Sequence, residues 1–186
     1  MNRVAIAILT VVVVVAAPAS ARADGFIVPF VGYNFGGDSG NCPRLTNCTD
    51  RHANFGVSLG TMGTLFGAEF DLGYAKNFFG EVPGTDNSVL TAMFNVLGGI
   101  GVGPVRPYVL AGVGLIRPHV SSITLSSDNN AFGYDLGGGL TLSVAPHVGI
   151  RGDIRHLHTA QTINVLFFND QRLDFFRASL GLSVRF

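Results

Sequence analysis

Beyond residue 23 the sequence contains no long apolar run, and nowhere does it contain a basic tract. The missing run excludes a membrane-spanning helix there, because such a helix needs about 20 predominantly apolar residues. The missing basic tract argues against nucleic-acid binding. Charge of either sign is also scarce: 13% of the residues are charged, against about 25% in ordinary soluble domains. Yet the mean hydropathy is +0.40, so the chain is hydrophobic on average without a hydrophobic run.

The first 23 residues have the features of a secretory signal peptide. Arg3 gives a positive start, residues 4–17 are apolar with one exception, and residues 21–23 read Ala-Arg-Ala, an A-x-A cleavage site. The apolar stretch is shorter than the roughly 20 residues that span a bilayer as a helix, which argues against a membrane anchor. We therefore predict a signal peptide over residues 1–23 and one domain over residues 24–186.

Alternation of apolar with small or polar residues accounts for the composition. In FGAEFDLGY, at residues 66–74, the apolar side chains alternate with Gly, Glu, Asp and Gly. Successive side chains of a strand point to opposite faces. A closed barrel in a membrane turns one face to lipid and the other to its lumen. Its sequence is therefore hydrophobic on average although it contains no continuous apolar stretch.

Eight segments read as strands of such a barrel. They are residues 26–36, 53–62, 65–79, 89–101, 107–118, 131–144, 147–158 and 172–186. Each is long enough to cross a bilayer as a tilted strand, which takes about 9–11 residues. Long polar connections alternate with tight links, as in outer-membrane barrels. We therefore predict an all-β fold, an eight-stranded antiparallel up-and-down transmembrane β-barrel.

The signal peptide, the segment EFDLGYAKNFF, the strand PYVLAGVG and the final Phe186 occur together in this sequence. With them the chain resembles the small eight-stranded outer-membrane β-barrels of Gram-negative bacteria, similar to the OmpA transmembrane domain and OmpX. The resemblance implies a location in the bacterial outer membrane. In that family the barrel-assembly machinery reads a terminal aromatic residue, so Phe186 is the expected assembly signal. The family includes anchors, adhesins and enzymes, so the resemblance leaves the function open.

Parity along the strands predicts a set of charged residues in the lumen. The set is Glu69, Asp71, Asp135, Arg151, Asp153, Arg155, Arg177 and Arg185. Buried charges need partners, and an eight-stranded barrel is only wide enough for its own side chains. We therefore predict a neutral network of four acids and four arginines that fills the lumen. A narrow, gated ion path through rearranging pairs is the alternative.

Cys42 and Cys48 lie six residues apart in the first long connection. Because the periplasm is oxidising, we predict that they form a disulfide that braces this loop. A metal site with His52 as a third ligand is the alternative, but two cysteines and one histidine fall short of a structural zinc set. We expect no metal and no cofactor.

His156 and His158 end the seventh predicted strand. Some members of the family that the chain resembles modify lipid A with a His–Ser pair. Here no serine is adjacent, and Thr159 is the nearest hydroxyl in the sequence. Both histidines fall on the lipid-facing parity, where we expect them to act as polar anchors at the membrane interface. We therefore predict that the protein is not an enzyme.

The long connections are rich in Ser, Asn, Thr and Gly, and the last one contains the apolar insert VLFF at residues 165–168. Loops on a rigid scaffold often carry binding. We therefore predict a structural or surface-interaction role for a monomer. Its expected partners are outer-membrane lipid, the barrel-assembly machinery and a surface ligand, and not nucleic acid. The alternatives are a narrow porin-like channel, a lipid-modifying enzyme and a soluble periplasmic lipid-binding barrel.

Overall fold

A computed structural model of the chain describes residues 24–37, 51–76, 78, 85–122, 126–128, 130–160, 163–165, 168–171 and 173–186. Its strands are β1 (Asp24–Phe35), β2 (Arg51–Met62), β3 (Phe66–Lys76), β4 (Thr85–Gly99), β5 (Val105–Ser122), β6 (Ser126–Asp128), β7 (Ala131–Ala145), β8 (Val148–Thr159), β9 (Ile163–Val165), β10 (Phe168–Gln171) and β11 (Asp174–Arg185). Within this part of the chain, no helix is long and apolar enough to cross a membrane. The predicted signal peptide lies outside the described residues.

Eight long strands close into an antiparallel barrel, which confirms the predicted fold class. Each strand pairs with its neighbours in chain order, and β11 returns to pair with β1 from Phe26↔Arg185 to Phe35↔Phe176. Beyond this register, Gly25 N donates to Phe186 O at 3.0 Å, and Phe186 N donates to Gly25 O at 2.9 Å. The barrel therefore has no open edge along this seam, as a lipid environment requires.

The two ends of the barrel differ. The tight links β2–β3, β4–β5 and β7–β8 lie at the end where β1 begins and β11 finishes, which we call the turn end. The long connections lie at the opposite end, which we call the loop end. In outer-membrane barrels the short turns face the periplasm and the long loops face the medium.

The eight barrel strands coincide with the eight predicted segments, but two of them continue further. Strands β4 and β5 remain paired as far as Thr85↔Ser122, and β6 adds to β5 there. Strand β5 has 18 residues, whereas a tilted strand needs about 9–11 residues to cross the bilayer. At about 3.3 Å per residue, β5 is about 60 Å long. These polar extensions lack apolar alternation, so their sequence predicts loops instead. Strands β9 and β10 form a separate hairpin in the last connection, where Phe168 pairs with Val165.

The outward face of the barrel is apolar. Its exposed large side chains include Leu59, Phe70, Phe94, Val96, Val109, Val113, Leu136, Leu140, Ile150, Ile154, Leu180 and Leu182. A contiguous apolar surface of this extent suits lipid rather than water. A soluble lipid-binding barrel would have its apolar face inside and Glu69 and Arg151 outside. Both residues are instead buried in the lumen, so that alternative is wrong.

The side chains that point into the lumen form three layers. An apolar cluster lies at the loop end and comprises Ala75, Phe78, Val89, Met93, Ile116, Ala131, Leu157, Leu173 and Phe175. A second apolar cluster lies towards the turn end and comprises Phe26, Val28, Met62, Leu97, Tyr108 and Leu110. The buried charged side chains lie between them. The interior is therefore a polar layer enclosed by two apolar layers, whereas strand parity in the sequence predicts only the polar one.

Glycine at position 112 makes room for the polar layer. A Cβ atom there would lie 1.8 Å from Asn95 Oδ1, 2.5 Å from the carbonyl oxygen of Phe94 and 2.6 Å from Asp135 Oδ1. The backbone oxygen cannot move away as a flexible side chain could. At Gly152, on the outward face, a Cβ atom would meet its nearest neighbour at 3.7 Å, which is ordinary van der Waals contact.

We predict that Gly112→Ala lowers the free energy of unfolding by about 1–3 kcal/mol, the usual cost of overpacking. Gly152→Ala is the matched control and should change it by less than about 0.5 kcal/mol. Urea unfolding in detergent micelles, followed by the heat-dependent shift in gel mobility, measures both. Equal stability of the two variants would show that the lumen tolerates a methyl group beside Asn95.

Candidate functional site in the barrel lumen

Seven of the eight predicted lumen residues are buried side by side in the polar layer. Glu69 and Asp71 come from β3, Asp135 from β7, and Arg177 from β11. Arg151, Asp153 and Arg155 alternate along β8, so all three point inward. The eighth residue, Arg185, lies towards the turn end and is only partly buried.

Arg155 lies at the centre of the network and spans the lumen. Its Nη2 atom lies 3.0 Å from Glu69 Oε1, and its Nη1 atom lies 3.4 Å from Asp71 Oδ2. Its Nε atom donates to Asp153 Oδ1 at 3.0 Å. Because β8 and β3 are not adjacent in the barrel, these ion pairs join opposite walls of the lumen.

Two further arginines complete the ion pairs. Arg151 Nη1 lies 2.5 Å from Glu69 Oε2, and Arg177 Nη2 donates to Asp71 Oδ1 at 2.6 Å. Each guanidinium also lies over an aromatic ring: Arg151 Cζ is 4.6 Å from the ring centre of Tyr108, and Arg177 Cζ is 4.9 Å from that of Phe30. Such cation–π contacts add to the ion pairs in a desolvated site.

Uncharged side chains that were not among the predicted site residues hold the carboxylates. Ser58 Oγ donates to Asp71 Oδ2 at 2.8 Å, and Ser179 Oγ donates to Asp153 Oδ1 at 2.8 Å. Tyr108 Oη donates to Asp153 Oδ2 at 2.9 Å and accepts a hydrogen bond from Arg151 Nε at 2.6 Å. All of these residues share the inward parity of their strands, so the sequence did contain a signal for them.

Arg185 does not join the network. Its Nη2 atom donates to Ser143 Oγ at 2.8 Å, and no carboxylate of the described residues lies within ion-pair distance of it. Parity places Arg185 and Arg177 on the same face, but eight residues of strand separate them, or about 26 Å. The polar layer therefore contains four carboxylates and three guanidinium groups, so the expected balance of four and four is wrong.

Asp135 is the carboxylate with the weakest support. It is fully buried, and neither of its oxygens has a hydrogen-bond partner among the described residues. Its nearest cation is Arg155 Nη1, at 3.8 Å. Asn95 Oδ1, which lies beside the same Gly112, also has no partner there. The excess negative charge of the layer is thus located where no donor meets it.

We predict that Asp71→Asn and Asp135→Asn differ sharply although both remove one buried carboxylate. Asp71→Asn deprives Arg177 of its charged partner and should cost about 3–5 kcal/mol of stability. Asp135→Asn removes the excess charge and should leave the stability unchanged or raise it. Urea unfolding of the two variants tests this. A loss at position 135 as large as that at position 71 would contradict the described geometry.

The two histidines of β8 lie on the outward face near the loop end, and Asp174 binds both. His156 Nε2 lies 2.8 Å from Asp174 Oδ1, and His158 Nδ1 lies 2.9 Å from Asp174 Oδ2. The Phe176 ring stacks on His156 at 4.7 Å. Thr159 points inward and its Oγ1 accepts from Leu173 N at 2.7 Å. The threonine hydroxyl is therefore on the opposite face of the sheet from the histidines, and the two do not form a catalytic pair.

The other predicted site residues are less informative. Cys42 and Cys48 lie outside the described residues, while His52 is buried in β2. Among the residues that the structure describes, no group of three or more His, Cys, Asp or Glu side chains could hold a metal ion. Phe186 lies exposed at the turn end, on the seam between β11 and β1.

Comparison with known proteins gives the same architecture. The family described as "Outer membrane protein beta-barrel domain" matches residues 6–186. Neisserial surface protein A has a similar solved structure, with a TM-score of 0.68, 17% identity, and 87% of this chain and 97% of that chain covered. Ail, the attachment invasion locus protein of Yersinia pestis, has a TM-score of 0.57 and 14% identity, with 89% of this chain and 99% of that chain covered. The outer membrane protein OprG from Pseudomonas aeruginosa has a TM-score of 0.54 and 14% identity, with 89% of this chain and 97% of that chain covered. No curated protein matches the sequence.

Proposed function

Because this chain belongs to the outer membrane protein beta-barrel domain family, we propose that it is a closed, non-conducting barrel with a structural and surface-presenting role. The observation that carries the proposal is the set of ion pairs from Arg155 to Glu69 and Asp71, which crosses the lumen. A water-filled path along the barrel axis would have to pass through these side chains.

Two features support a permanent closure over a gated one. Removing one partner from a buried ion pair costs about 3–5 kcal/mol, because it leaves the other charge uncompensated. Arg155 takes part in several such pairs at once, so moving it aside is costly. The apolar cluster at the loop end adds a barrier to ions, since its side chains offer no ligands in place of water.

The loop end supports the surface-presenting part of the proposal. The paired extension of β4 and β5, with β6 added at its edge, continues beyond the length needed to cross the bilayer. Paired strands form a more rigid platform than an irregular loop, and binding residues are common in segments held by a rigid scaffold. We propose that this end faces the medium and meets a surface ligand. We propose that its other partners are outer-membrane lipid and the barrel-assembly machinery, which would recognise Phe186. We also propose that the protein is a monomer.

We expect the refolded protein to show no discrete conductance steps in planar lipid bilayers. Insertion must be verified in the same preparation by the heat-dependent gel shift, and a known porin serves as the positive control. The expected result is that the inserted barrel conducts no measurable current. Reproducible steps would replace the proposal by the narrow channel, and Arg155→Ala would then show whether the network forms the filter.

We expect the loop end to be reachable from outside the cell and the turn end to be shielded. Asn130 is exposed at the loop end, and Thr64 is exposed at the turn end. In a background with both native cysteines replaced by serine, Asn130→Cys should react with a membrane-impermeant maleimide on intact cells. Thr64→Cys should react only after the outer membrane is permeabilised. The reverse pattern would contradict the proposed orientation.

A further inference from the structure

The turn end of the lumen contains a cavity of about 110 Å³ that the charge network does not fill. Three arginines line it, Arg106, Arg151 and Arg185, and none of its lining residues in the described part of the chain is acidic. Glu69 and Asp153, which pair with Arg151, lie deeper in the barrel and do not line it. The charged side chains that line the cavity are therefore all positive.

Two of these arginines have free donors. Arg151 is 4% exposed, and its Nη2 atom has no hydrogen-bond partner among the described residues. Its Nη1 and Nε atoms are occupied by Glu69 and Tyr108. Arg185 Nε has no partner there either. Leaving a charged donor buried without an acceptor is costly, so the cavity favours a guest that brings acceptor oxygens.

The rest of the wall divides into a polar and an apolar part. Hydroxyl groups of Thr141, Ser143 and Ser183 lie on the same side as Arg185, on β7 and β11. Phe26, Met62 and Leu97 supply an apolar part. A guest that satisfies both parts needs an anionic head and a short hydrocarbon chain.

The size of the cavity restricts the guest further. One water needs roughly 10–15 Å³ of cavity volume, so a cavity of about 110 Å³ has room for about seven to eleven waters, or for a guest with about that many heavy atoms at most. Turn residues Gly101, Gly103 and Pro104 form part of the lining, so the cavity is reached from the turn end. That end faces the periplasm in outer-membrane barrels.

We propose that this cavity binds a small carboxylate with a short apolar chain, taken up from the periplasmic side. The carboxylate accepts from Arg151 Nη2 and Arg185 Nε, and the chain packs on Phe26, Met62 and Leu97. The closed layer above the cavity makes this a site with a single entrance. The proposal goes beyond the surface role of the loop end. Its single entrance rests on the closed lumen proposed above, whereas the binding contacts themselves are tested independently of conductance.

Titration of the mature protein with butyrate, in micelles of an uncharged detergent, tests the proposal. Backbone amide NMR signals are the readout. We expect saturable shifts confined to turn-end residues such as Val105 and Ser183. Butanol lacks the charge and inorganic phosphate lacks the chain, so each should bind at least several-fold more weakly than butyrate.

Two variants locate the site. Arg185→Gln should weaken butyrate binding by about tenfold or more, because a hydrogen bond to a charged group is lost. Thr141→Val keeps the side-chain shape and should weaken binding a few-fold, which keeps the test valid if the arginine variant folds poorly. Arg117 lies on the outward face of β5 near the loop end. Arg117→Gln removes the same charge far from the cavity, so this control should bind butyrate like the parent protein.

Three results would overturn the proposal. If butyrate causes no saturable shifts, the cavity does not bind a small carboxylate. Phosphate binding as tight as butyrate binding would show a general anion site, in which the apolar part of the wall has no role. Unchanged butyrate affinity in both Arg185→Gln and Thr141→Val would place the guest elsewhere, on the micelle or the outer surface of the barrel.

Discussion

The structure depends on one constraint: lipid offers no hydrogen-bond partner to a backbone amide or carbonyl group. A β-sheet can satisfy it only by closing, and here β11 meets β1 along almost its full length. Closure with eight strands leaves a lumen just wide enough for side chains. The inward residues must therefore fit one another, and every buried charge must find its partner inside the barrel. The outward residues face the opposite demand, since each must be apolar or lie near an interface.

The polar layer shows how that fit is reached. Arg155 contacts carboxylates from its own strand and from the opposite wall, while serine and tyrosine hydroxyls occupy remaining acceptor positions. Glycine at position 112 leaves space where Asn95 and Asp135 approach the backbone. Asp135 is the exception, because its carboxylate has no hydrogen-bond partner among the described residues. Both oxygens of Asp71 thus have a donor, whereas neither oxygen of Asp135 on β7 has one among these residues.

The sequence predicted the parts of this architecture that follow from a two-residue period. Strand positions and faces are of this kind, because alternation decides which side of the sheet a residue takes. Depth along the barrel does not follow from parity, so Arg185 was expected in a layer from which it is absent. The apolar layers were missed because Phe26 and Val28 lie inward within a segment that is apolar on both faces. Asp174 was missed because its partners, His156 and His158, lie on another strand, and only the register of β8 with β11 brings them together.

The ion pairs that cross the lumen also have a mechanical consequence. A thin-walled tube flattens easily under sideways pressure, because its wall bends at little cost. In this barrel, flattening that moves β3 away from β8 would stretch the contacts of Arg155 with Glu69 and Asp71, and flattening in the other direction would compress the same side chains. The cross-section is therefore held near circular from within. Lateral pressure from a crowded membrane would reach the loop end through a body that keeps its shape, so the distances between the strands at that end stay fixed.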